Sequence, residues 1–132
     1  MTNTIIEMSE IEYSFNKKPI LNKVNISVKQ GEIVGLIGPN GSGKTTIFNI
    51  LSGAIKPSEG NIYSNGIDIG SLSINQRSKL LAIAPQNPIF PEEMSVFELT
   101  ALGRNPYLSL LSWESLNDNQ LTIQSIDKVG LL

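Results

Sequence analysis

Apolar positions follow two periods along the chain, and both kinds of element are predicted from them. Ile5, Met8, Ile11, Tyr13 and Phe15 alternate loosely with polar residues and predict a β-strand. Val24, Ile26 and Val28 alternate with Asn25 and Ser27, the pattern of a half-buried strand, and Lys17-Lys18-Pro19 reads as the turn before it. After a second turn at Gln30-Gly31, residues Glu32 to Ile37 form a nearly continuous apolar run, expected of a buried parallel strand. The period then changes. Thr45 to Leu51 has helical spacing, with Gly53 as the stop. Lys56 to Gly60 is a turn cluster. Asn61 to Ser64 is a short strand closed by Asn65-Gly66, a strong hairpin signal. Ser73 to Lys79 predicts a short helix with Ser73 as N-cap. Leu80 to Ala84 predicts a second buried strand ended by Pro85. Ser95 to Gly103 predicts a helix with Val96, Leu99 and Leu102 on one face. Asn117 to Val129 predicts a last helix with Leu121, Ile126 and Val129 as its apolar stripe. Strands interleaved with helices in this way indicate an α/β chain.

One junction in this pattern carries chemistry. Between the apolar run and the first helix stands Gly38-Pro39-Asn40-Gly41-Ser42-Gly43-Lys44-Thr45, the G-x-x-x-x-G-K-[ST] pattern of a loop that holds the phosphates of a nucleoside triphosphate. Gly38, Gly41 and Gly43 let the backbone curl and approach phosphate oxygens without a Cβ in the way. The amides from Asn40 through Ser42 to Thr46 can then converge as a nest, reinforced by the positive end of the helix dipole. Lys44 supplies a mobile charge for the β- and γ-phosphates. The Thr45 hydroxyl can ligate Mg²⁺, and Thr46 can hydrogen-bond the α-phosphate. A chance glycine-rich turn is the competing reading, and the expected strand before and helix after the loop weigh against it.

Composition narrows the field. The chain has 132 residues, a length that predicts one domain with a real core. Its net charge is −2, and Lys and Arg are dispersed, so no nucleic-acid surface is indicated. No Cys is present, which excludes disulfides, a thiol nucleophile and a thiolate metal site. No His is present, which removes the commonest general base. No apolar run approaches the ~20 residues of a membrane span, and Met1 to Glu10 does not read as a signal peptide. A soluble, cytoplasmic chain is the expectation.

Further motifs give the loop a family context. The octet with Pro39 and Asn40 resembles the Walker A of ATP-binding cassette (ABC) ATPases. Phe15 to Leu21 resembles that family's aromatic loop. Pro57-Ser58-Glu59-Gly60 with Asn65-Gly66 and Asp68 resembles its P-x-x-G…G-x-D stretch, and Ala84-Pro85-Gln86 its Q-loop. These elements stand in the family's order over essentially the whole chain. Ser95 to Tyr107 is similar to the V-x-E-L-x-x-x-G-R-x-P segment of importers for iron–siderophore, haem and cobalamin, with Gly103, Arg104 and Pro106 in place. Thr100 stands where an aliphatic residue is expected and Tyr107 where His is frequent.

The resemblance implies an α/β P-loop NTPase fold of the ABC ATPase type in incomplete form. Residues 1–31 would supply antiparallel β-subdomain strands. Residues 32–86 would hold the start of the parallel core up to the Q-loop, and residues 87–132 the start of the helical subdomain. It further implies that Phe15 stacks on adenine, with Tyr13 as the rival ring; in the plainer reading both rings are strand core. Gln86 would ligate Mg²⁺ and sense the γ-phosphate, sharing the catalytic role with Lys44; its plainer reading is an exposed loop amide. Residues 87–111, including Phe90, Met94 and Tyr107, would dock on a permease. Implied partners are transmembrane permease subunits, a second ATPase subunit in a homodimer, and indirectly a periplasmic or surface substrate-binding protein. The implied location is peripheral, at the cytoplasmic face of the membrane.

The family also needs an L-S-G-G-Q signature, a Walker B strand ending in Asp and Glu, a D-loop and a switch His, and none occurs in the 132 residues. The expectation is therefore a chain that binds Mg-ATP weakly and hydrolyses it negligibly by itself, as the N-terminal part of an ATPase about twice as long. The alternative is a non-catalytic nucleotide-binding fragment or decayed paralogue. A soluble small-molecule kinase is disfavoured by the lack of an Arg cluster.

Overall fold

The computed structural model describes residues 3–88, 90–91, 93–108 and 115–131. It comprises two compact units, Met1–Leu81 and Ala82–Leu132.

The first unit is built on one antiparallel sheet. Strands β1 (Thr4–Phe15) and β2 (Lys18–Lys29) form a long hairpin, and β3 (Glu59–Ser64) and β4 (Ile67–Asp68) form a short one. The spatial order is β2-β1-β3-β4. Both hairpins close through two residues with positive φ, Asn16-Lys17 and Asn65-Gly66, the geometry that matches strand twist. The first turn thus falls one residue earlier than the expected Lys17-Lys18-Pro19, because Phe15 pairs with Lys18 and draws Lys18 and Pro19 into β2.

Helix α1 (Lys44–Ser52) ends at Gly53, whose positive φ closes the last turn. Helix α2 (Ile74–Ser78) begins in a full capping box: the Ser73 hydroxyl accepts from the Gln76 N–H, and the Gln76 side chain accepts from the Ser73 N–H. Met8, Ile11, Leu21, Ile47, Ile50, Ile62 and Ile69 make the core, with Tyr13, Ile20 and Leu36 packed against it. Full burial of such side chains contributes roughly 1.5–3 kcal/mol each.

Two expected strands are absent. Glu32 to Ile37 and Leu80 to Ala84 take no strand structure. Ile33 is 98% and Ile37 99% exposed. A buried parallel strand requires parallel neighbours on its edges, and every strand pair among the described residues is antiparallel. The apolar run is real, but among the described residues only Leu36 of Glu32 to Ile37 packs against the core, while Ile33, Val34 and Ile37 stay exposed.

The second unit holds α3 (Val96–Ala101), a 3-10 helix (Leu102–Tyr107) and α4 (Leu116–Lys128). Its buried faces follow the expected stripes only in part, Ile126 being buried as expected. In α3 the buried residue is Ala101, while Val96 and Leu102 are exposed. In α4 the buried residues are Asp118, Thr122 and Ile126, and Val129 is exposed. Arg104 Nε donates to Asp118 Oδ1 at 2.8 Å, so the buried face of α4 carries an ion pair. Residues 89, 92 and 109–111 of the expected docking stretch lie outside the described residues. Among the described residues no helix is long and apolar enough to cross a membrane.

Candidate functional site

The glycine-rich loop meets the core at Gly43. This residue has φ 90° and caps the N-terminus of α1. A Cβ on it would stand 2.7 Å from Leu21 Cδ2, so only glycine lets the loop seat against β2 here. Leu21 in turn pairs with Tyr13 on β1. The loop is therefore anchored on the hairpin that ends at Phe15. Gly41 also has positive φ, at 82°. At Gly38 a Cβ would stand 2.8 Å from Ser42 Oγ, so a side chain there would fill the loop's interior.

Donors converge on this loop. The first α-helical bond runs from the Ile47 N–H to the Gly43 carbonyl at 3.0 Å, which leaves the N–H groups of Lys44, Thr45 and Thr46 with no intrahelical acceptor. They stand at the positive end of the α1 dipole. The first turn contains no acidic residue to compete for them. The Lys44 ammonium folds back over the loop and donates to the Gly38 carbonyl at 2.7 Å, the Pro39 carbonyl at 2.8 Å and Ser42 Oγ at 3.3 Å. A cation held by neutral carbonyls can exchange them for a stronger anionic acceptor. Asn40, in the loop, and Thr45, in the first turn of α1, are both exposed. The arrangement combines orphan amides, an ammonium held on loop oxygens, a hydroxyl suited to a divalent cation, and space that a Cβ would fill. It fits a Mg²⁺-bearing polyphosphate.

The other candidates are distributed as follows. Phe15 is 61% exposed at the tip of the long hairpin, whereas Tyr13 packs against the core. Of the two rings, Phe15 is the one with a face free to stack. Gln86 is exposed and belongs to the second unit. Sequence reasoning missed Ile20 and Leu21 as the wall behind the loop, and it missed Arg77. The Arg77 guanidinium is buried and donates to the Ile50 and Leu51 carbonyls at the far end of α1. No periodic signal marks a single buried cation in a short polar helix.

A φ-positive glycine hinge opening a helix, with a lysine and two threonines in its first turn, defines a P-loop nucleotide-binding chain. Comparison with known proteins makes this specific. The model of the ABC transporter family matches residues 21–131. The chain belongs to that family. It is 31% identical to the petrobactin import ATP-binding protein FpuD of Bacillus anthracis, over 96% of this chain and 46% of the relative. It is 31% identical to the iron(3+)-hydroxamate import ATP-binding protein FhuC of Bacillus subtilis, over 96% of this chain and 47% of the relative. It is 33% identical to the manganese transport system ATP-binding protein MntA of a Synechocystis species, over 89% of this chain and 45% of the relative. Among solved structures, a nucleotide-free ATP-binding cassette from an ABC transporter superposes with a TM-score of 0.81 at 28% identity, over 97% of this chain and 55% of that one. The fold class expected from the motifs thus holds. The chain spans about half the length of these relatives.

Proposed function

We propose that this chain is the nucleotide-holding portion of the ATP-binding subunit of an ABC importer for a metal chelate such as an iron–siderophore complex, haem or cobalamin. The observation that carries the reading is the loop itself: unpaired N–H groups at the start of α1 with the Lys44 ammonium resting on exchangeable carbonyls. The chelate class is supported by the similarity to FpuD and FhuC, together with Gly103-Arg104 and Pro106 in the chain. MntA, whose name concerns a bare metal ion, is the relative that argues for a wider substrate range.

The residues divide the work by chemistry. Gly38, Asn40, Gly41, Ser42 and Gly43 shape the cradle, and the amides from Lys44 to Thr46 donate into it. Lys44 follows charge on the outer phosphates. Thr45 offers a hydroxyl oxygen, and Gln86 an amide oxygen, each of the kind a hard divalent cation such as Mg²⁺ takes. Phe15 offers a π-face to the base, worth roughly 1–3 kcal/mol where such stacking forms. Phosphoryl transfer to water rests on positioning and charge stabilisation, and these 132 residues provide no signature sequence and no residue to orient water. The isolated chain therefore binds Mg-ATP without efficient turnover. In the assembled importer a second ATPase subunit completes the site. Permease subunits receive the motion at the cytoplasmic face of the membrane, and a substrate-binding protein delivers the chelate. The chain's segments serve as a β-subdomain (1–31), a nucleotide core (32–86) and a helical, permease-facing region (87–132).

The test is uptake of radiolabelled ferric siderophore in cells lacking the gene. Uptake is lost in the deletion strain, and the wild-type gene restores it while a Lys44→Ala allele does not. Undiminished uptake of every chelate tried in the deletion strain contradicts the importer reading. Steady-state ATP turnover by the purified chain at ordinary enzyme rates, abolished by Lys44→Ala, contradicts the prediction of binding without hydrolysis.

A further inference from the structure

Helix α1 carries the phosphate-facing amides at one end, and its other end is held by a single buried side chain. Arg77 is 7% exposed. Its Nη1 donates to the Ile50 carbonyl at 3.1 Å and the Leu51 carbonyl at 3.3 Å, and its Nη2 donates to the Ile69 carbonyl at 2.5 Å. Ile50 and Leu51 are among the last residues of α1; the Ile50 carbonyl accepts only from the Gly53 N–H that closes the helix, at 3.1 Å, and the Leu51 carbonyl from no helical N–H, so both have room for a further donor. Ile69 is fully buried just beyond β4. One guanidinium therefore ties the C-terminal end of α1 to the chain after the β3–β4 hairpin. A cation there also complements the negative end of the helix dipole.

Two observations show that the contact is built rather than incidental. A Cβ on Gly53, which closes α1 with φ 83°, would lie 2.7 Å from Nη1 and 2.9 Å from Cζ of Arg77, so glycine is required both by conformation and by the guanidinium's room. Arg77 Nε, moreover, is buried without a partner, the one such side-chain atom among the described residues. Leaving an N–H unpaired costs about 1–3 kcal/mol, and the group is held in place by its other bonds despite this. Helix α1 has nine residues and is about 13 Å long. A rigid body so short transmits a tilt at its C-terminus directly to the amides of its first turn.

We propose that Arg77 is a positioning residue for nucleotide binding. By fixing the C-terminal end of α1 it holds the amides of Lys44, Thr45 and Thr46 in register with the loop anchored at Gly43. The inference rests on the nucleotide reading of the loop. The Arg77 guanidinium donates to the carbonyls of Ile50, Leu51 and Ile69 and not to the loop; it acts through α1.

The test compares wild type, Arg77→Met, Arg77→Lys and Gly53→Ala. Mg-ATP affinity is measured by calorimetry, and amide hydrogen exchange is read separately over α1 and over β1 and β2. To separate positioning from general loss of stability, wild type is also measured in urea adjusted to the unfolding free energy of each variant. Arg77→Met is expected to bind Mg-ATP about tenfold more weakly than stability-matched wild type, equivalent to ~1.4 kcal/mol. Exchange should accelerate in α1 and not in β1 and β2, and Arg77→Lys should fall between. Gly53→Ala displaces the guanidinium while keeping its charge, and it should weaken binding in the same sense. It remains the decisive variant where Arg77→Met does not fold. Affinity equal to matched wild type in Gly53→Ala and in the folded Arg77 variants overturns the inference while leaving the loop's function intact. Failure of wild type itself to bind Mg-ATP overturns the nucleotide reading and this inference with it.

Discussion

The two units are held together by different physics. In the first, seven buried apolar side chains from β1, β2, β3, α1 and the turn after β4 form one cluster. In the second, the buried apolar residues among those described are Ala101 and Ile126, and the organising contacts are polar. Ser95 and Ser115 each open a helix in a capping box, closed by Glu98 and Asp118 respectively. Arg104 pairs with Asp118 and lies over the Tyr107 ring at 4.3 Å. Asp118 thus serves two helical elements at once: its Oδ2 accepts from Ser115 and its Oδ1 from Arg104. An apolar cluster carries no group that titrates, whereas a carboxylate hub responds to pH. The glycine-rich loop sits on the apolar unit, whose core holds no ionisable side chain of the kind that organises the second.

Substitution in the core has the largest effect. Ile11 is fully buried at the centre of the sheet, and Ile11→Ala should cost about 2–5 kcal/mol in chemical denaturation. A cost below 1 kcal/mol would remove the claim that this cluster dominates the first unit. Removing the hydroxyl in Ser115→Ala should cost about 1 kcal/mol, read as faster amide exchange confined to the first turns of α4. Equal acceleration in the β1–β2 hairpin would deny that the caps act locally.

The pH response sharpens the contrast further. The Ser115 hydroxyl, then the Arg104 guanidinium, hold the Asp118 carboxyl down to about 2, below its ordinary value of 3.8. A group whose pKa is depressed by folding stabilises the fold above its unfolded value and loses that contribution as pH falls through the folded one. The second unit should therefore loosen between about pH 4 and pH 2 as Asp118 protonates. A side-chain carboxyl NMR titration of Asp118 with a midpoint near 4 would contradict the hub. The smallest effect belongs to Ile33→Asn. With Ile33 almost wholly exposed, it should change the stability of this chain by no more than about 0.5 kcal/mol. A larger loss would mean that the Glu32 to Ile37 run is covered after all.

What the sequence made legible follows the same division. Alternation placed β1 and β2. Asn65-Gly66 and Gly53 placed a turn and a helix end, and Ser73 placed the start of α2, because each of these signals is local and the structure honours it locally. Glu32 to Ile37 and Leu80 to Ala84 misled, since an apolar run reports a tendency to be buried and not which neighbour buries it. In α4 the expected stripe held at Ile126 and failed at Val129, and in α3 it failed at Val96 and Leu102; the Arg104–Asp118 pair, fourteen residues apart, is a contact that no helical period encodes. The loop from Gly38 to Thr45 was legible because its residues are chosen for backbone geometry and phosphate chemistry together. Arg77 was not, since its partners are main-chain carbonyls that any sequence would offer.

The central claim is that the loop on α1 holds a nucleoside triphosphate through Lys44 and the first helical amides. Calorimetric titration of Mg-ATP into the wild-type chain and into Lys44→Ala tests it most directly. Saturable one-to-one binding by the wild type, weakened at least about tenfold by the substitution, is the predicted result. No binding by the folded wild type, or equal affinity in the two proteins, would contradict it.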